Sequence, residues 1–464
     1  MLPQRDKTIH PDGVPPARRF MAMLTIGLGI TMAVLDGSVA NIALPTIARE
    51  LGSTPAQSIW VVNAYQLVIV VSLLALSSLG EIIGYARIYY VGLVIFGVAS
   101  FACAVSDSLT ALVIARVLQG VGASCIMSVN AALVRFIYPR AMLGRGIGFI
   151  ALVVAMAAAS GPTIAAGILS VASWHWIFAI NVPISIVAVA VAGALPLTAR
   201  SSHKFDWQSA LLSVLAFGSF VIGVEQLGHG FQNIVWVVAC FALALVSGTL
   251  LVRRQLNRSA PLLPVDLLRI PVFALSILTS VSSFCAQTLA FVSLPFFFQG
   301  VLQRGEVETG LLMTPWPLAL VFVAPLAGRL ADRYPAGLLG GIGLAVFAGG
   351  LASLAMLPAD PTSLDIAWRM LMAGAGFGLF QSPNNRTMLA AAPPERTGGA
   401  SGMLGTARLT GQTLGAALVA MIFNLAGGAE GSQMTLTLAA GLALLGMVLS
   451  LIRLTPRGKG PVSA

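Results

Sequence analysis

Residues Leu35 to Pro45 read LDGSVANIALP and place one carboxylate, Asp36, inside an otherwise apolar run. The residues before it, Met21 to Val34, read MAMLTIGLGITMAV and carry no charge. A run of about 20 apolar residues is long enough to cross ~30 Å of hydrocarbon as a helix. A carboxylate in hydrocarbon is costly unless it faces a wet cavity, pairs with a cation or carries a proton. The stretch therefore predicts a membrane helix and marks Asp36 as the first candidate for function.

Apolar runs of similar length recur through the chain. Charged residues make up 9% of the 464 residues and hydrophobic residues 57%. Irregular backbone cannot face lipid, so each run is expected to form a membrane-spanning helix. The sequence predicts an all-α membrane protein with fourteen transmembrane helices, at residues 20–45, 58–79, 88–106, 109–137, 142–171, 176–198, 207–228, 232–252, 272–300, 307–330, 336–357, 364–389, 398–426 and 433–453.

The basic residues alternate between the two ends of these predicted helices. If the N-terminus is cytoplasmic, 21 of the 26 Lys and Arg lie on the cytoplasmic side, and only Arg49 and Arg304 lie on the outer side. Arg116, Arg369 and Arg408 lie within helices. This asymmetry predicts a multi-pass protein of the bacterial plasma membrane with both termini in the cytoplasm. No nucleic-acid partner is expected despite the net charge of +10, because a polyanion requires a clustered basic surface.

Two stretches of the first half recur in the second half. Ser77–Arg87 (SSLGEIIGYAR) matches Gly328–Leu338 (GRLADRYPAGL) at an offset of 251, and Arg116–Leu133 matches Arg369–Met388 at offsets of 253 to 254. Six helices need roughly 190 residues, so two further helices fit between the repeats, as in transporters built from repeats. The predicted organisation is a tail at 1–19, a six-helix bundle at 20–198, two inserted helices with linkers at 199–270, a second six-helix bundle at 271–453 and a tail at 454–464.

Four motifs together resemble one family. They are LDGSVANIALP in the first predicted helix, ARVLQGVGA (115–123) in the fourth, SGPTIAAG (160–167) in the fifth and SWHWIFAINVPI (173–184) at the start of the sixth. They look like the fourteen-helix drug:proton antiporter branch of the major facilitator superfamily, over about residues 20 to 455. The resemblance implies the major facilitator fold, with two pseudo-symmetric six-helix bundles plus two inserted helices. It also implies proton-coupled export by alternating access, and it assigns proton coupling to the positions of Asp36 and Arg116.

The positions of Asp36 and Arg116 along their helices indicate that the two side chains can meet. Asp36 precedes Pro45 by nine residues and Arg116 follows Leu109 by seven, which puts them about 13 Å and 10 Å from the outer end at 1.5 Å per residue. Desolvation favours a protonated acid and a nearby guanidinium favours a carboxylate, so separating the pair would load or release a proton. The alternative is a static ion pair that joins two helices. Glu225, near the end of an inserted helix, is a weaker candidate for coupling.

Two cytoplasmic loops and the fifth helix carry the residues expected to gate the transporter. The loops resemble the superfamily signature Gly-x-Leu-x-Asp-Arg-x-Gly-x-Arg, in which an acid near helix N-termini and an Arg bridging to the other half would hold the cytoplasmic side closed. The Gly-Pro pair in the fifth helix would form a pivot and a seal. Turn chemistry and ordinary helix packing are the alternatives. The expected gating residues are Glu81, Gly84, Arg87, Gly161, Pro162, Gly328, Asp332 and Arg333.

Polar and aromatic residues in the pseudo-symmetric helices are the candidates for a substrate cavity. An aromatic pocket with one carboxylate suits lipophilic cations. Three intramembrane arginines against two acids would also suit an anionic substrate, and Arg408 needs a carboxylate, carbonyl groups or an anionic substrate as its partner. Several of these side chains can instead serve only to bond neighbouring helices. The candidates are Asn41, Asn63, Tyr65, Gln66, Ser128, Asn130, Gln287, Trp316, Phe377, Gln381, Asn384, Asn385 and Arg408.

The sequence favours a proton-coupled exporter of small organic, lipophilic cationic compounds, as in multidrug efflux and drug resistance. The alternative is a dedicated exporter of one metabolite or organic anion. An enzyme is not expected, because the sequence shows no nucleophile, metal cluster or paired carboxylates on converging helices. No metal or cofactor is expected either, because the four cysteines form no CxxC pair and the four histidines lack metal-ligand spacing. The expected partners of this monomer are its substrate, protons and the lipid bilayer.

Overall fold

Every regular element in the described part of this computed structural model is helical. The description covers residues 13–139, 142–198, 205–227, 234–256, 265–393 and 397–454, so most of both predicted tails lies outside it. The α-helices are α1 (Pro16–Glu50), α2 (Pro55–Ser58), α3 (Trp60–Ile83), α4 (Tyr85–Ala104), α5 (Leu109–Ile137), α6 (Leu143–Val171), α7 (His175–Ala179), α8 (Asn181–Val191), α9 (Trp207–Leu227), α10 (Ile234–Leu256), α11 (Pro271–Phe296), α12 (Glu306–Met313), α13 (Pro315–Leu330), α14 (Ala336–Ala355), α15 (Ser363–Ala391), α16 (Thr397–Ala426) and α17 (Gly428–Ile452).

Thirteen helical stretches in the described ranges are long and apolar enough to cross a membrane. The sequence predicts fourteen, and the remaining predicted segment forms α15, a helix of 29 residues. This helix carries Asp365, Arg369, Gln381 and Arg386 among other polar residues. These side chains dilute its apolar character, so α15 is as long as its neighbours but more polar.

The first helix is longer than predicted. α1 continues through Pro45 to Glu50. A proline within a helix removes one backbone hydrogen bond and bends the helix, but packing against neighbouring helices supports it in membrane proteins. Asp36 therefore lies 14 residues before the end of α1 (50 minus 36), which corresponds to about 21 Å. The predicted distance of about 13 Å was counted from Pro45 at 1.5 Å per residue, so the longer helix places Asp36 nearer its middle.

Helices α1–α8 form what we call the N-terminal half, and helices α11–α17 form the C-terminal half. In the N-terminal half α5 packs on α3 and α4, and α1 packs on α6 and α8. In the C-terminal half α14 packs on α15 and α17, and α11 packs on α16 and α17. The helices α9 and α10 pack on each other, and α9 also contacts α3 and α16, one helix from each half. The α9–α10 pair therefore lies where the two halves meet.

The same glycine-dependent helix crossing occurs in both halves. A Cβ atom added to Gly92 of α4 would lie 2.9 Å from the carbonyl oxygen of Gly122 on α5. A Cβ atom added to Gly343 of α14 would lie 2.8 Å from the carbonyl oxygen of Gly376 on α15. Only glycine permits this approach, since any other side chain would overlap the facing backbone. The two pairs differ by 251 and 254 residues (343 minus 92 and 376 minus 122), which are offsets of the sequence repeat.

Hydrogen bonds join the two halves at the end of the molecule where α1 finishes, which we call the Glu50 end. Thr46 Oγ1 and Arg49 Nη2 of α1 donate to Glu306 Oε1 of α12, at 2.7 and 2.8 Å. Thr163 of α6 and Thr314, which follows α12, share a hydrogen bond of 3.0 Å. The opposite end of the molecule has the α3–α4 turn at Gly84, and we call it the Gly84 end. The Glu50 end is therefore held closed by contacts between α1, α6 and α12.

Candidate functional site

Asp36 of α1 and Arg116 of α5 form an ion pair inside the N-terminal half. The Nη1 atom of Arg116 donates to Oδ2 of Asp36. Both side chains have no solvent exposure. Burial of two charges is tolerated only when each charge is paired and its other hydrogen-bonding atoms are satisfied. The predicted proximity of these two residues is therefore present in the structure.

Two amide side chains complete the surroundings of the Asp36 carboxylate. Gln119 Nε2 and Asn181 Nδ2 donate to Oδ1 of Asp36, at 2.8 and 3.1 Å. Gln119 is itself held in place, because its Oε1 accepts from Arg116 Nη1 at 2.6 Å and its Nε2 donates to Ser100 Oγ at 2.9 Å. The carboxylate therefore receives donors from α5 and α8.

The guanidinium of Arg116 is enclosed by backbone and aromatic groups. Its Nε donates to the carbonyl oxygen of Val61 at 2.8 Å. Its Cζ lies 4.1 Å from the ring centroid of Tyr65 and 5.5 Å from that of Phe178, within the range of cation–π attraction. Its Nη2 is buried and has no hydrogen-bond partner in the described part of the chain. Arg116 is therefore held in one orientation and retains one free donor.

The motif SWHWIFAINVPI provides three contacts to this region. Trp174 Nε1 donates to Glu50 Oε2 at the end of α1, at 3.0 Å. Phe178 lies against Arg116, and Asn181 donates to Asp36. Neither Asn181 nor Gln119 is among the predicted site residues. Gln119 could have been found from its position three residues after Arg116 on the same helix face. The signal for Asn181 was its place in a motif that the sequence analysis used only for family resemblance.

Glu225 of α9 is buried but has partners. It is 8% exposed, and Trp60 Nε1 at the start of α3 donates to its Oε1. Nearby, Val221 and Val224 of α9 pack in one cluster with Ala417 of α16. Glu225 therefore joins an inserted helix to the N-terminal half beside a contact with the C-terminal half. It lies on a different helix from the Asp36 pair.

Several of the predicted substrate residues lie inside the C-terminal half. Trp316 packs against the rings of Phe291 and Phe347 at centroid distances of 4.9 and 5.4 Å, and it is fully buried. Phe377 is also fully buried in this aromatic cluster, 5.4 Å from Phe347. Asn384 Nδ2 donates to Ser280 Oγ, and its Oδ1 accepts from Arg453. These side chains stabilise helix packing in the C-terminal half.

Other predicted substrate residues have buried polar atoms without a hydrogen-bond partner in the described ranges. Tyr65 is not one of them, because it donates to the Ala33 carbonyl at 3.0 Å within the Asp36 region. Gln287, Gln381, Asn385 and Ser128 are partly exposed. The unpartnered atoms are Asn41 Oδ1, Asn63 Nδ2 and Oδ1, Gln66 Oε1, Asn130 Oδ1 and Arg408 Nε. No group of three or more His, Cys, Asp or Glu in the searched, described residues is arranged to hold a metal ion.

Comparison with known proteins places this arrangement in a family. Residues 26–416 match the Major Facilitator Superfamily. The chain belongs to that superfamily. The predicted superfamily is thus confirmed, and the protein is a multi-pass membrane transporter with an all-helical fold.

Relatives of this major facilitator protein differ in the compound they are named for. The chain is 55% identical over 455 residues to the uncharacterized transporter YebQ of Escherichia coli (strain K12), covering 97% of this chain and 99% of that protein. It is 30% identical over 411 residues to the riboflavin transporter RibZ of Clostridioides difficile (strain 630), covering 88% of each. It is 29% identical over 415 residues to the tetracenomycin C resistance and export protein of Streptomyces glaucescens, covering 87% of this chain and 76% of that protein.

A solved structure supports the fold. The crystal structure of a bacterial homolog of the human lysosomal transporter Spinster, in an inward-facing and unoccupied conformation, aligns with a TM-score of 0.69. The alignment covers 95% of this chain and 97% of that one, at 14% sequence identity. The similarity therefore concerns the major facilitator fold alone.

The superfamily loop signature lies at the Gly84 end. Gly84 is buried and has a φ of +106°, a conformation that favours glycine, while Glu81 and Arg87 are exposed. In the second copy, Asp332 pairs with Arg386, and the two side chains are 61% and 58% exposed. Arg386 belongs to α15 of the same half, so this ion pair does not bridge the two halves as the predicted latch would.

The remaining predicted gating residues also have defined neighbours. Arg333 is exposed, and a Cβ atom added to Gly328 would lie 3.2 Å from Ser382 Oγ. On α6, a Cβ atom added to Gly161 would lie 2.5 Å from Ser38 Cβ of α1. The carbonyl oxygen of the next residue, Pro162, would lie 2.7 Å from a Cβ atom added to Gly310 of α12. The Gly-Pro pair thus lies between α1 of its own half and α12 of the other half.

Proposed function

We propose that this major facilitator protein is a proton-coupled antiporter that exports small organic molecules by alternating access. On this proposal its layout is that of the fourteen-helix branch. Residues 20–198 and 271–453 form the two six-helix bundles, with α9 and α10 inserted between them and α15 as the fourteenth spanning helix. It acts as a monomer without catalysis in the bacterial plasma membrane, with both termini and the Gly84 end in the cytoplasm.

The observation that carries the proposal is the Asp36 pair. An acid with a cation and two amide donors is stable as a carboxylate while all four groups stay together. Its partners come from other helices, so a relative movement of α1, α5 and α8 changes the number of donors it receives. When the donors withdraw, the isolated buried carboxylate binds a proton, because a buried charge without partners is too costly.

In the alternating-access cycle, the side that is open determines where Asp36 binds or releases its proton. The Glu50 end is closed by Glu306 with Thr46 and Arg49, and by the approach of α6 to α12. In the proposed orientation this is the outer side, and the described conformation is the one in which Asp36 keeps its three donors. Opening the outer side separates α1 from α12, and the resulting shift of α1 exposes Asp36 to protons from outside. The proton is released inside when the outer contacts form again.

The deciding experiment uses protein reconstituted in liposomes with a pH-sensitive dye inside. Ethidium, riboflavin and carboxyfluorescein serve as cationic, neutral and anionic probes, and an imposed pH gradient drives transport. The Asp36→Asn variant keeps the size of the side chain but cannot exchange a proton, so gradient-driven transport is expected to fall to the level of empty liposomes. The matched control is Asp365→Asn, which removes the acid that pairs with Arg369.

The control is expected to retain transport, because Asp365 is 26% exposed and lies in the first turn of α15. Thermal unfolding of both variants checks that each protein remains folded. Wild-type gradient-driven transport by Asp36→Asn would contradict the coupling role. The names of the relatives support small organic substrates as a class without selecting one compound.

A further inference from the structure

The two halves meet along a seam between α3 and α16. A Cβ atom added to Gly402 of α16 would lie 3.4 Å from Leu74 of α3, and one added to Gly405 would lie 3.6 Å from Leu73. Because the residue number rises on one helix as it falls on the other, the two helices run antiparallel along this seam. The seam lies between the N-terminal and C-terminal halves, where a transported compound must pass.

A polar group without a partner lies on this seam. Seven residues make about two helical turns, so Gln66 lies on the same face of α3 as Leu73, and Gln412 lies on the same face of α16 as Gly405. The Oε1 atom of Gln66 is buried and has no hydrogen-bond partner in the described ranges. Buried polar atoms are seldom left unpaired in native proteins, so the Gln66 oxygen needs water or a bound molecule as its partner.

Arg408 contributes a charge to this seam. On α16, Gly411 and Gly415 face α11, since added Cβ atoms there would lie 2.5 Å from the Val281 carbonyl oxygen and 2.7 Å from that of Cys285. Gly405 faces α3. Arg408 lies between these two directions on the helix circumference, so its side chain faces the space that α3 and α11 border.

Within the described part of the chain Arg408 forms no ion pair, its buried Nε has no hydrogen-bond partner, and the residue as a whole is partly exposed. Its situation differs from that of the other two arginines within helices. Arg116 pairs with Asp36, and Arg369 pairs with Asp365. Glu225 accepts from Trp60. The seam between the halves therefore carries a positive charge that Asp36, Asp365 and Glu225 do not neutralise.

We propose that Arg408 binds an anionic group, a carboxylate or its equivalent, on the transported compound. This inference rests on the proposed transport function and specifies its substrate class. The planar guanidinium presents donors that match a carboxylate, and the amide of Gln412, one turn after Arg408 on α16, can donate beside it. A cationic compound at the same place would meet an unpaired like charge. The organic anion is thus preferred over the lipophilic cation that the sequence favours.

Binding measured without a proton gradient tests the substrate class. Full-length protein in detergent is titrated with matched sets of aromatic compounds that differ in one group: benzoate, benzamide and benzylammonium, and the same three groups on naphthalene and anthracene. The readouts are intrinsic tryptophan fluorescence and the shift of the unfolding temperature. In wild-type protein the carboxylate of a set is expected to bind at least tenfold more tightly than its amide and its amine. Equal or tighter binding of the amines, or no preference in any set, would overturn the proposal.

Three variants assign the preference to Arg408. Arg408→Gln is expected to lose the preference, with about a tenfold to hundredfold loss of carboxylate affinity, as expected for a lost charged hydrogen bond. Arg408→Lys is expected to keep part of it, since the charge remains without the planar fork. The control Arg253→Gln makes the same change of net charge at an exposed position of α10 and is expected to bind as wild type does. Unchanged carboxylate binding by Arg408→Gln would overturn the proposal.

The failure of this inference and the failure of the proposed function give different results. Asp36→Asn is expected to bind the carboxylate as wild-type protein does while losing gradient-driven transport. If coupling fails but the inference holds, carboxylate binding still depends on Arg408. If the inference fails but coupling holds, gradient-driven transport depends on Asp36 and carboxylate binding does not depend on Arg408.

Discussion

Arg116 in the N-terminal half and Arg369 in the C-terminal half occupy matching positions of the repeat, 253 residues apart, yet they have different partners. Arg116 pairs with Asp36 across two helices and is fully buried. Arg369 pairs with Asp365, one turn earlier on the same helix, and its side chain is 14% exposed. It also donates to the carbonyl oxygen of Ser353.

Because of this difference, helix movement can change the Asp36–Arg116 pair but not the Asp365–Arg369 pair. Two residues one turn apart on a helix keep their distance when the helix moves as a rigid body. A pair that spans two helices changes when those helices shift. The residues 250 and 251 positions after Asp36 are Ala286 and Gln287, so the C-terminal half has no acid at the corresponding place of α11. On the proposed function, proton coupling rests on the N-terminal half alone.

The largest expected effect of a single substitution is on stability at Arg116. Arg116→Met leaves Asp36 buried without its cation, and loss of one partner of a buried pair costs about 3–5 kcal/mol. Arg369→Met leaves a partly exposed acid and is expected to cost less than about 1 kcal/mol. The measurement is the midpoint of thermal or denaturant unfolding in detergent for the two variants side by side.

A double variant separates charge from packing at the same place. Asp36→Leu combined with Arg116→Met removes both charges and is expected to recover most of the lost stability, because a buried pair can be replaced by apolar groups of similar size. Equal destabilisation by Arg116→Met and Arg369→Met would erase the difference between the halves. It would mean that the Asp36–Arg116 pair contributes no more to stability than the Asp365–Arg369 pair.

The next largest effect is expected at Gln119. Gln119→Leu removes one donor to Asp36 and leaves the acid with Arg116 and Asn181. Loss of a hydrogen bond to a charged group costs about 1.5–3 kcal/mol. Gln119→Leu is therefore expected to lower the unfolding midpoint by an amount between those of Arg116→Met and Arg369→Met. Unfolding in detergent measures the loss, and an unchanged midpoint would contradict the role of Gln119 as a donor to Asp36.

A matched residue of the other half serves as control for that prediction. Met372 of α15 lies three residues after Arg369, as Gln119 does after Arg116. Met372→Leu is therefore expected to leave the unfolding midpoint nearly unchanged, since no donor to an acid is lost there.

The sequence predicted the scaffold more completely than it predicted the site. Asp36 and Arg116 were found because isolated charges in apolar helices are rare and their depth can be counted along a helix. Asn181 and Gln119 were missed because amides are common in membrane helices and their partners depend on helix rotation. Glu306 was missed because it lies at the start of a short helix whose contact with α1 exists only in the assembled fold.

The glycine-dependent crossings of α4 with α5 and of α14 with α15 predict that a glycine substitution lowers stability by a similar amount in each half. Gly122→Ala and Gly376→Ala each place a methyl group against the facing backbone of α4 or α14. Overpacking of this kind costs about 1–3 kcal/mol, and the two variants are expected to lose similar amounts of stability. Unfolding midpoints in detergent provide the comparison. Gly148→Ala is a control, because a Cβ atom added there meets no atom within 4 Å. A large loss at only one of the two crossings would show that the halves do not share this packing.

The smallest effect is expected at the contact that closes the Glu50 end. Glu306→Gln removes the ion pair with Arg49, whose side chain is 65% exposed, but keeps an oxygen that can accept from Thr46. Exposed ion pairs contribute about 0–1 kcal/mol, so the closed population is expected to fall by less than about fivefold. Spin labels on cysteines introduced at the exposed Asp107 and Leu364, in a Cys240→Ser background, report the distance between the halves.

Even a small change in the closed population on substituting Glu306 is informative because of the helix to which its partners belong. Arg49 and Thr46 belong to α1, which also carries Asp36, so weakening their bond to Glu306 acts on the helix that bears the coupling acid. Arg49→Gln is expected to shift the distance distribution in the same direction, and the double variant is expected to add little, because both changes remove one interaction. A wider opening in the double variant than in the two single variants combined would mean that Glu306 and Arg49 hold the Glu50 end through separate contacts. In that case the closure would not depend on α1 alone, and the C-terminal half would share in setting the state of Asp36.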